Sequence, residues 1–136
     1  MIKNFLALLF LLAVISCGAF GQRVYRDISV NRADSIINAT KDSSLVLLDV
    51  RTPAEYDKGH LEDAVLINIL KRGFRRKLSG LDRDASYLVY CATGGRSARA
   101  MKIMKKKKFR KVYNMVGGIR DWTKEGYDII IEEKKN

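Results

Sequence analysis

The run Cys91-Ala92-Thr93-Gly94-Gly95-Arg96-Ser97 gathers a thiol, two adjacent glycines, a guanidinium and a hydroxyl in seven residues. Before it, Ser86-Tyr87-Leu88-Val89-Tyr90 reads as a strand, and Ser97-Ala98-Arg99-Ala100-Met101 opens a helix. A tight loop between a strand end and a helix start turns successive backbone N–H groups toward one point, next to the positive end of the helix dipole. Gly94 and Gly95 allow the positive φ values that such a curl requires. A cysteine at the mouth of that nest has a stabilised thiolate and a lowered pKa, which makes Cys91 a nucleophile. The backbone of Ala92, Thr93, Gly94, Gly95, Arg96 and Ser97 is then expected to cradle an anionic substrate. Arg96 adds a fixed charge whose planar fork suits an oxyanion group.

The other cysteine, Cys17, belongs to a different segment. Met1 to Asn4 carry one charge, Lys3, and Phe5 to Ile15 are eleven consecutive apolar residues. That is too short for a bilayer-spanning helix, which needs about 20 residues, and it suits the core of a secretory leader, about 7 to 15. Residues 1–21 are read as a signal peptide, and the protein as exported. Val14-Ile15-Ser16-Cys17 resembles a bacterial lipobox, whose cleavage leaves a lipidated Cys17; Ala19-Phe20-Gly21 before Gln22 is an acceptable site for ordinary signal peptidase. The lipobox is favoured, which anchors the protein by its lipidated N-terminus on the periplasmic side of a bacterial membrane. With either cut Cys17 leaves the thiol inventory, so Cys91 stands unpaired where disulfides persist.

The remaining residues, 23–132, read as one folded domain. The chain of 136 residues is 47% apolar with a single proline, and it lacks linkers, repeats and low-complexity runs. Strands are predicted over 24–28, 45–50, 64–68, 87–90 and 112–114. Helices are predicted after Ser29, after Thr52-Pro53-Ala54-Glu55, which has the form of a capping box, over 72–78 and 97–107, and from Gly118. Alternating strands and helices, with buried-type strands, indicate α/β architecture: a central parallel sheet with helices on both faces. Ligands in such sheets bind at the carboxyl ends of the strands, which puts residues 49–52, 68–72, 91–96 and 115–118 at the binding edge.

These residues resemble the rhodanese family. The Cys-x-x-Gly-x-Arg-Ser loop at Cys91 to Ser97 is similar to the rhodanese active-site loop. Asp49-Val50-Arg51, Gly59-His60-Leu61 and Gly117-Gly118-Ile119 with Trp122 resemble further signatures in the same order. The resemblance implies a rhodanese-like fold and a sulfurtransferase in which Cys91 takes sulfane sulfur from a small anionic donor such as thiosulfate, becomes a persulfide, and yields the sulfur to cyanide, a thiol or a protein acceptor. It implies no cofactor, no metal and no general base. Ala92 and Thr93 are small and neutral where many of the family's sulfurtransferases carry a charged or bulky residue, a departure that bears on donor choice. Two other readings stand beside it: a persulfide carrier or redox-sensing binding module without turnover, and, ranked lower, a cysteine-based phosphatase or arsenate reductase of the same fold. Those enzymes place five residues between cysteine and arginine, whereas four separate Cys91 from Arg96.

The other conspicuous residues read as structural. His60, the only histidine, is assigned a local hydrogen-bonding role, Asp49 and Arg51 are expected to hold loops with Glu55 as a partner of Arg51, and Trp122 is a core anchor. The net charge of +11, from 26 basic and 15 acidic residues, falls only to +10 without the leader. Its densest stretch, Lys105 to Lys108, is expected beside the cysteine loop, where it would steer anionic donors or meet anionic lipid. Nucleic acid is not an expected partner, because no aromatic stacking residues interleave the lysines.

Overall fold

The computed structural model describes residues 21–40 and 44–132; Cys17 and nearly all of the predicted leader lie outside these residues. The elements are β1 (Val24–Ile28), α1 (Val30–Ala39), β2 (Leu45–Asp49), α2 (Pro53–Asp57), β3 (Val65–Leu66), α3 (Phe74–Ser79), β4 (Ser86–Tyr90), α4 (Gly95–Lys106), β5 (Lys111–Met115) and α5 (Gly118–Lys124). The five strands form one parallel sheet in the order β1-β5-β4-β2-β3.

Strand periodicity separates the core into two layers. Leu48 and Val50, Tyr87, Val89 and Cys91, and Val112 point to one face, where Phe74 and Leu78 of α3 and Ala100, Ile103 and Met104 of α4 cover them. Their neighbours Leu47, Leu88, Tyr90 and Met115 point to the other face, against Val30 and Ala33 of α1 and Trp122 of α5. Each fully buried aliphatic side chain contributes roughly 1.5–3 kcal/mol, so the two layers hold the sheet between the helices as the pattern predicts.

Local chemistry sets the helix starts. Ser29 accepts the Arg32 N–H at 3.2 Å ahead of α1. Thr52 and Glu55 form the predicted reciprocal cap of α2, with Pro53 at its first position. Several boundaries differ from the sequence reading. The expected strand over 64–68 pairs only at Val65–Leu66, after which the backbone still follows β2 through Ile67 N–H to Asp49 and Ile69 N–H to Val50. The third helix begins at Phe74, and α4 begins at Gly95, two residues before the expected Ser97.

The lysine run is displaced from its expected place. The crossover from β4 to the parallel β5 carries α4 back along the sheet, about 18 Å for its 12 residues. Its last turn therefore meets the start of β1: Lys105 Nζ lies 5.4 Å from the centroid of the Tyr25 ring. The neighbouring Arg110 accepts the Val24 N–H through its carbonyl at 2.8 Å. Lys105 to Lys108 thus lie at the opposite end of the sheet from Cys91.

Candidate active site

Cys91 is the first residue after β4 and is 1% exposed. Its Sγ accepts the Gly94 N–H at 3.1 Å and lies 3.4 Å from the Ser97 hydroxyl. That hydroxyl is also 3.1 Å from the Gly94 carbonyl, so its single proton serves either acceptor. Burial pushes the thiol pKa up. Hydrogen bonds from the Ser97 hydroxyl and from the backbone of Ser97, Thr93 and Gly94 outweigh it and hold the pKa below that of an ordinary cysteine. The loop is therefore a set of converging donors with a thiol at its centre. Ala92 is half-buried, and Thr93 and Gly95 are exposed at its rim.

Only one of the two loop glycines needs its conformational freedom. Gly94 has φ of +102°, and a Cβ there would stand 3.1 Å from the Gly117 nitrogen. Gly95 has no positive φ; it is the first residue of α4, and no atom lies within 4 Å of where a Cβ would be. The second essential glycine lies across the sheet edge. Gly118 has φ of +60°, and a Cβ on it would collide with the carbonyl oxygens of Cys91 and Ala92, the latter at 2.5 Å. Beside it, the Ile119 N–H donates to the Cys91 carbonyl at 2.9 Å and the Arg120 N–H to the Ala92 carbonyl at 3.1 Å. The start of α5 thus clamps the backbone of the cysteine loop from behind.

Arg96 is not a free cation. Its Nη1 and Nη2 donate to Glu55 Oε2 and Oε1 at 2.8 and 2.7 Å, in a two-point pair. Glu55 Oε2 also accepts from the Thr52 N–H and hydroxyl, at 3.0 and 2.9 Å. Arg96, against a smaller opposing effect of burial, and Thr52 hold the Glu55 carboxyl down at about 2. This corrects the expectation that Glu55 partners Arg51. Arg51 instead folds back on Asp49, Nη2 to Oδ2 at 2.6 Å, and donates to the Gly59 carbonyl at 2.7 Å. Both side chains of that pair are buried, and they fix the α2 to β3 connection beneath the site.

The remaining residues behave as read. His60 places Nδ1 3.1 Å from the Tyr56 carbonyl and stacks on the Tyr56 ring at 3.7 Å, a local role. Trp122 is buried and donates Nε1–H to the Asp128 carbonyl at 2.9 Å. Two features escaped the sequence reading. The Glu55 contact joins residues 41 apart and leaves no local mark. The Gly117-Gly118 pair at the binding edge was a visible signal whose target, the cysteine loop, was not.

A parallel sheet carrying a donor-lined cysteine loop at its carboxyl edge places the site in the class of α/β proteins built around a stabilised thiolate. Residues 32–125 match the family model of the rhodanese-like domain, and the chain belongs to that family. A sulfurtransferase of Allochromatium vinosum is 31% identical over 102 residues, which cover 74% of this chain and 94% of that one. YrkF of Bacillus subtilis, named for a supposed sulfur-carrier role, is 39% identical over 82 residues; these are 60% of this chain and 43% of YrkF, so the chain spans less than half of that relative. The crystal structure of a rhodanese-related protein from Thermoplasma volcanium superposes with a TM-score of 0.69 at 33% identity, covering 79% of this chain and all of that one.

Proposed function

We propose that the protein moves sulfane sulfur from a small anionic donor such as thiosulfate to a thiophilic acceptor, a thiol or cyanide, through a persulfide on Cys91. The family and the names of its relatives support sulfur transfer in general. The observation that carries the mechanism is the convergence of Gly94 N–H and the Ser97 hydroxyl on Cys91 Sγ, with the thiol pKa lowered. The Cys91 thiolate attacks the outer sulfur of thiosulfate; the new S–S bond forms as the old one breaks, and sulfite leaves with the electron pair. The terminal sulfur of the persulfide carries the negative charge, and the loop donors stabilise it as they stabilise the thiolate. The acceptor then attacks that sulfur, and the Cys91 thiolate departs unchanged. Sulfur passes between thiolate-like species, so the cycle needs no proton relay, metal or cofactor.

Arg96 enters this scheme as a positioned group and not as a free anion trap. Both arms of its fork are taken by Glu55, which leaves attraction of the donor mainly to the backbone of residues 92–97. The same pairing weighs against phosphoryl chemistry, where the arginine fork must grip the transferred group. Incubation with thiosulfate should add one sulfur to the intact mass, and cyanide should then release thiocyanate; Cys91→Ser should lose both signals. A persulfide without turnover would select the carrier reading. Aryl phosphate hydrolysis without sulfur uptake would overturn the assignment.

The place of action is proposed from the leader: export, lipidation of Cys17, and residence on the periplasmic side of a bacterial membrane, with a protein thiol among the candidate acceptors. Metabolic labelling with a fatty acid tests it, because Cys17→Ala should abolish the label and release the chain from the membrane fraction.

A further inference from the structure

The cationic end of the sheet is also where the chain enters the domain. Arg23, Lys105, Lys106, Lys108 and Arg110 are exposed there. The backbone of Gly21 lies directly on the Arg110 guanidinium, such that a Cβ on Gly21 would stand 2.8 Å from Arg110 Cζ. None of these five cations forms an ion pair with another described residue, in contrast to Arg51, Arg96 and Arg120. The loop ahead of β4 brings Asp82, Arg83 and Asp84 to the same end, its Arg83 carbonyl accepting the Arg110 N–H; it offsets one positive charge on balance. The surface is therefore a concentrated face of net positive charge around the chain's point of entry.

We infer that this face docks on anionic lipid and turns the Cys91 loop away from the membrane. The inference rests on the anchoring proposed above, and its strength comes from the length of the tether. Cys17 precedes Gly21 by four positions, a span of at most about 14 Å when fully extended. A lipid on Cys17 therefore holds Arg110 and its neighbours close to the headgroups. Each basic residue within about a Debye length of an anionic surface strengthens binding roughly fivefold. The lipidated Cys17 keeps the chain at the surface, and the basic face sets how the domain is turned on it. Because the strands are parallel, lipid contact at the start of β1 and β5 sets the carboxyl edge, with Cys91, on the far side about a strand length away, roughly 16 Å. The site then faces the aqueous phase, open to soluble donors and acceptors.

The test uses the chain produced with its leader in a bacterial host, purified from membranes and returned to vesicles of phosphatidylcholine alone or mixed with phosphatidylglycerol. Hydrogen exchange should slow several-fold across residues 102–111 and 22–25 only on the mixed vesicles. High salt and the double variant Lys105→Glu with Lys106→Glu should each remove that protection, while the protein stays bound and Cys91 is alkylated at the same rate on both vesicles. Salt reversal of the unaltered protein stands independently of whether the double variant folds. Binding to both vesicles with identical exchange, or protection centred on residues 91–97, would overturn the inference and leave the anchor intact. Binding only to the mixed vesicles, with the expected protection, would sink the anchor and retain the docking face.

Discussion

Glu55 and Arg96, 41 residues apart in the chain, join their carboxylate and guanidinium at 2.7 and 2.8 Å. The pair ties the start of α4 to α2, a second tether on the loop beside the bonds that α5 makes to the Cys91 and Ala92 carbonyls. About a third of each side chain remains exposed, so screening limits the net worth of the pair to about 1 kcal/mol.

That pairing gives a pH dependence of definite sign. The Glu55 carboxyl is held at about 2 in the folded protein against an ordinary 4.5, so its contribution is fully present above about pH 4.5 and is lost as pH falls toward 2. Glu55→Gln should lower stability by about 1 kcal/mol at neutral pH and flatten the stability curve between those limits. Urea denaturation at a series of pH values reads both effects. Parallel curves for the two proteins would remove Glu55 from the acid response.

Ser97→Ala should make Cys91 a poorer nucleophile near neutral pH. Burial pushes the thiol up, and the Ser97 hydroxyl is the first of the donors that overcome it. Without it the pH midpoint of iodoacetamide alkylation should move upward, and the rate below that midpoint should fall roughly fivefold, the equivalent of one hydrogen bond. An unchanged midpoint would mean that the backbone donors suffice.

The two helix-start glycines should respond oppositely to alanine. Gly118→Ala places a methyl group against backbone oxygens of Cys91 and Ala92 at a φ of +60° and should cost at least about 2 kcal/mol, with loss of sulfur transfer as the loop shifts. Gly95→Ala meets open space in a helical conformation and should stabilise by about 0.4–1 kcal/mol. Thermal melts of both variants decide the matter; similar destabilisation by the two would contradict the loop geometry.

Asp49→Ala should be the most damaging of these changes to stability. Asp49 is fully buried and Arg51 is 5% exposed, so removing the carboxylate strands a buried guanidinium, at a cost of about 3–5 kcal/mol. A loss below about 1 kcal/mol, read from the urea midpoint, would show that water reaches Arg51 easily.

Features governed by neighbours in sequence were legible before the fold was known. The buried strand at Tyr87 to Tyr90 in a sheet covered on both faces, the Thr52 to Glu55 cap and the strand-to-helix cysteine loop all follow from short spacings. Features set by the crossover were not. Glu55 is three residues from Thr52 but finds its ion partner on α4, while Arg51 takes the carboxylate two residues before it. Lys105 follows Cys91 closely in sequence, yet α4 carries it to the opposite end of the sheet, against Tyr25. Strand β3 is confined to Val65 and Leu66, although the Ile67 and Ile69 N–H groups still donate to the Asp49 and Val50 carbonyls.

The position of β1 at the sheet edge, paired with β5, governs the order in which the molecule can be completed. The Asp27 to Asn114 side-chain hydrogen bond spans 87 residues, so the first strand has no docking place until the last has been made. At about 5–20 residues per second, that leaves β1 waiting for several seconds during synthesis. Closing so long a loop late in folding is slow. The segment that adjoins the proposed leader is thus the last to be committed, and a chain in transit across a membrane would remain open at its leading end until its final strand had followed it through.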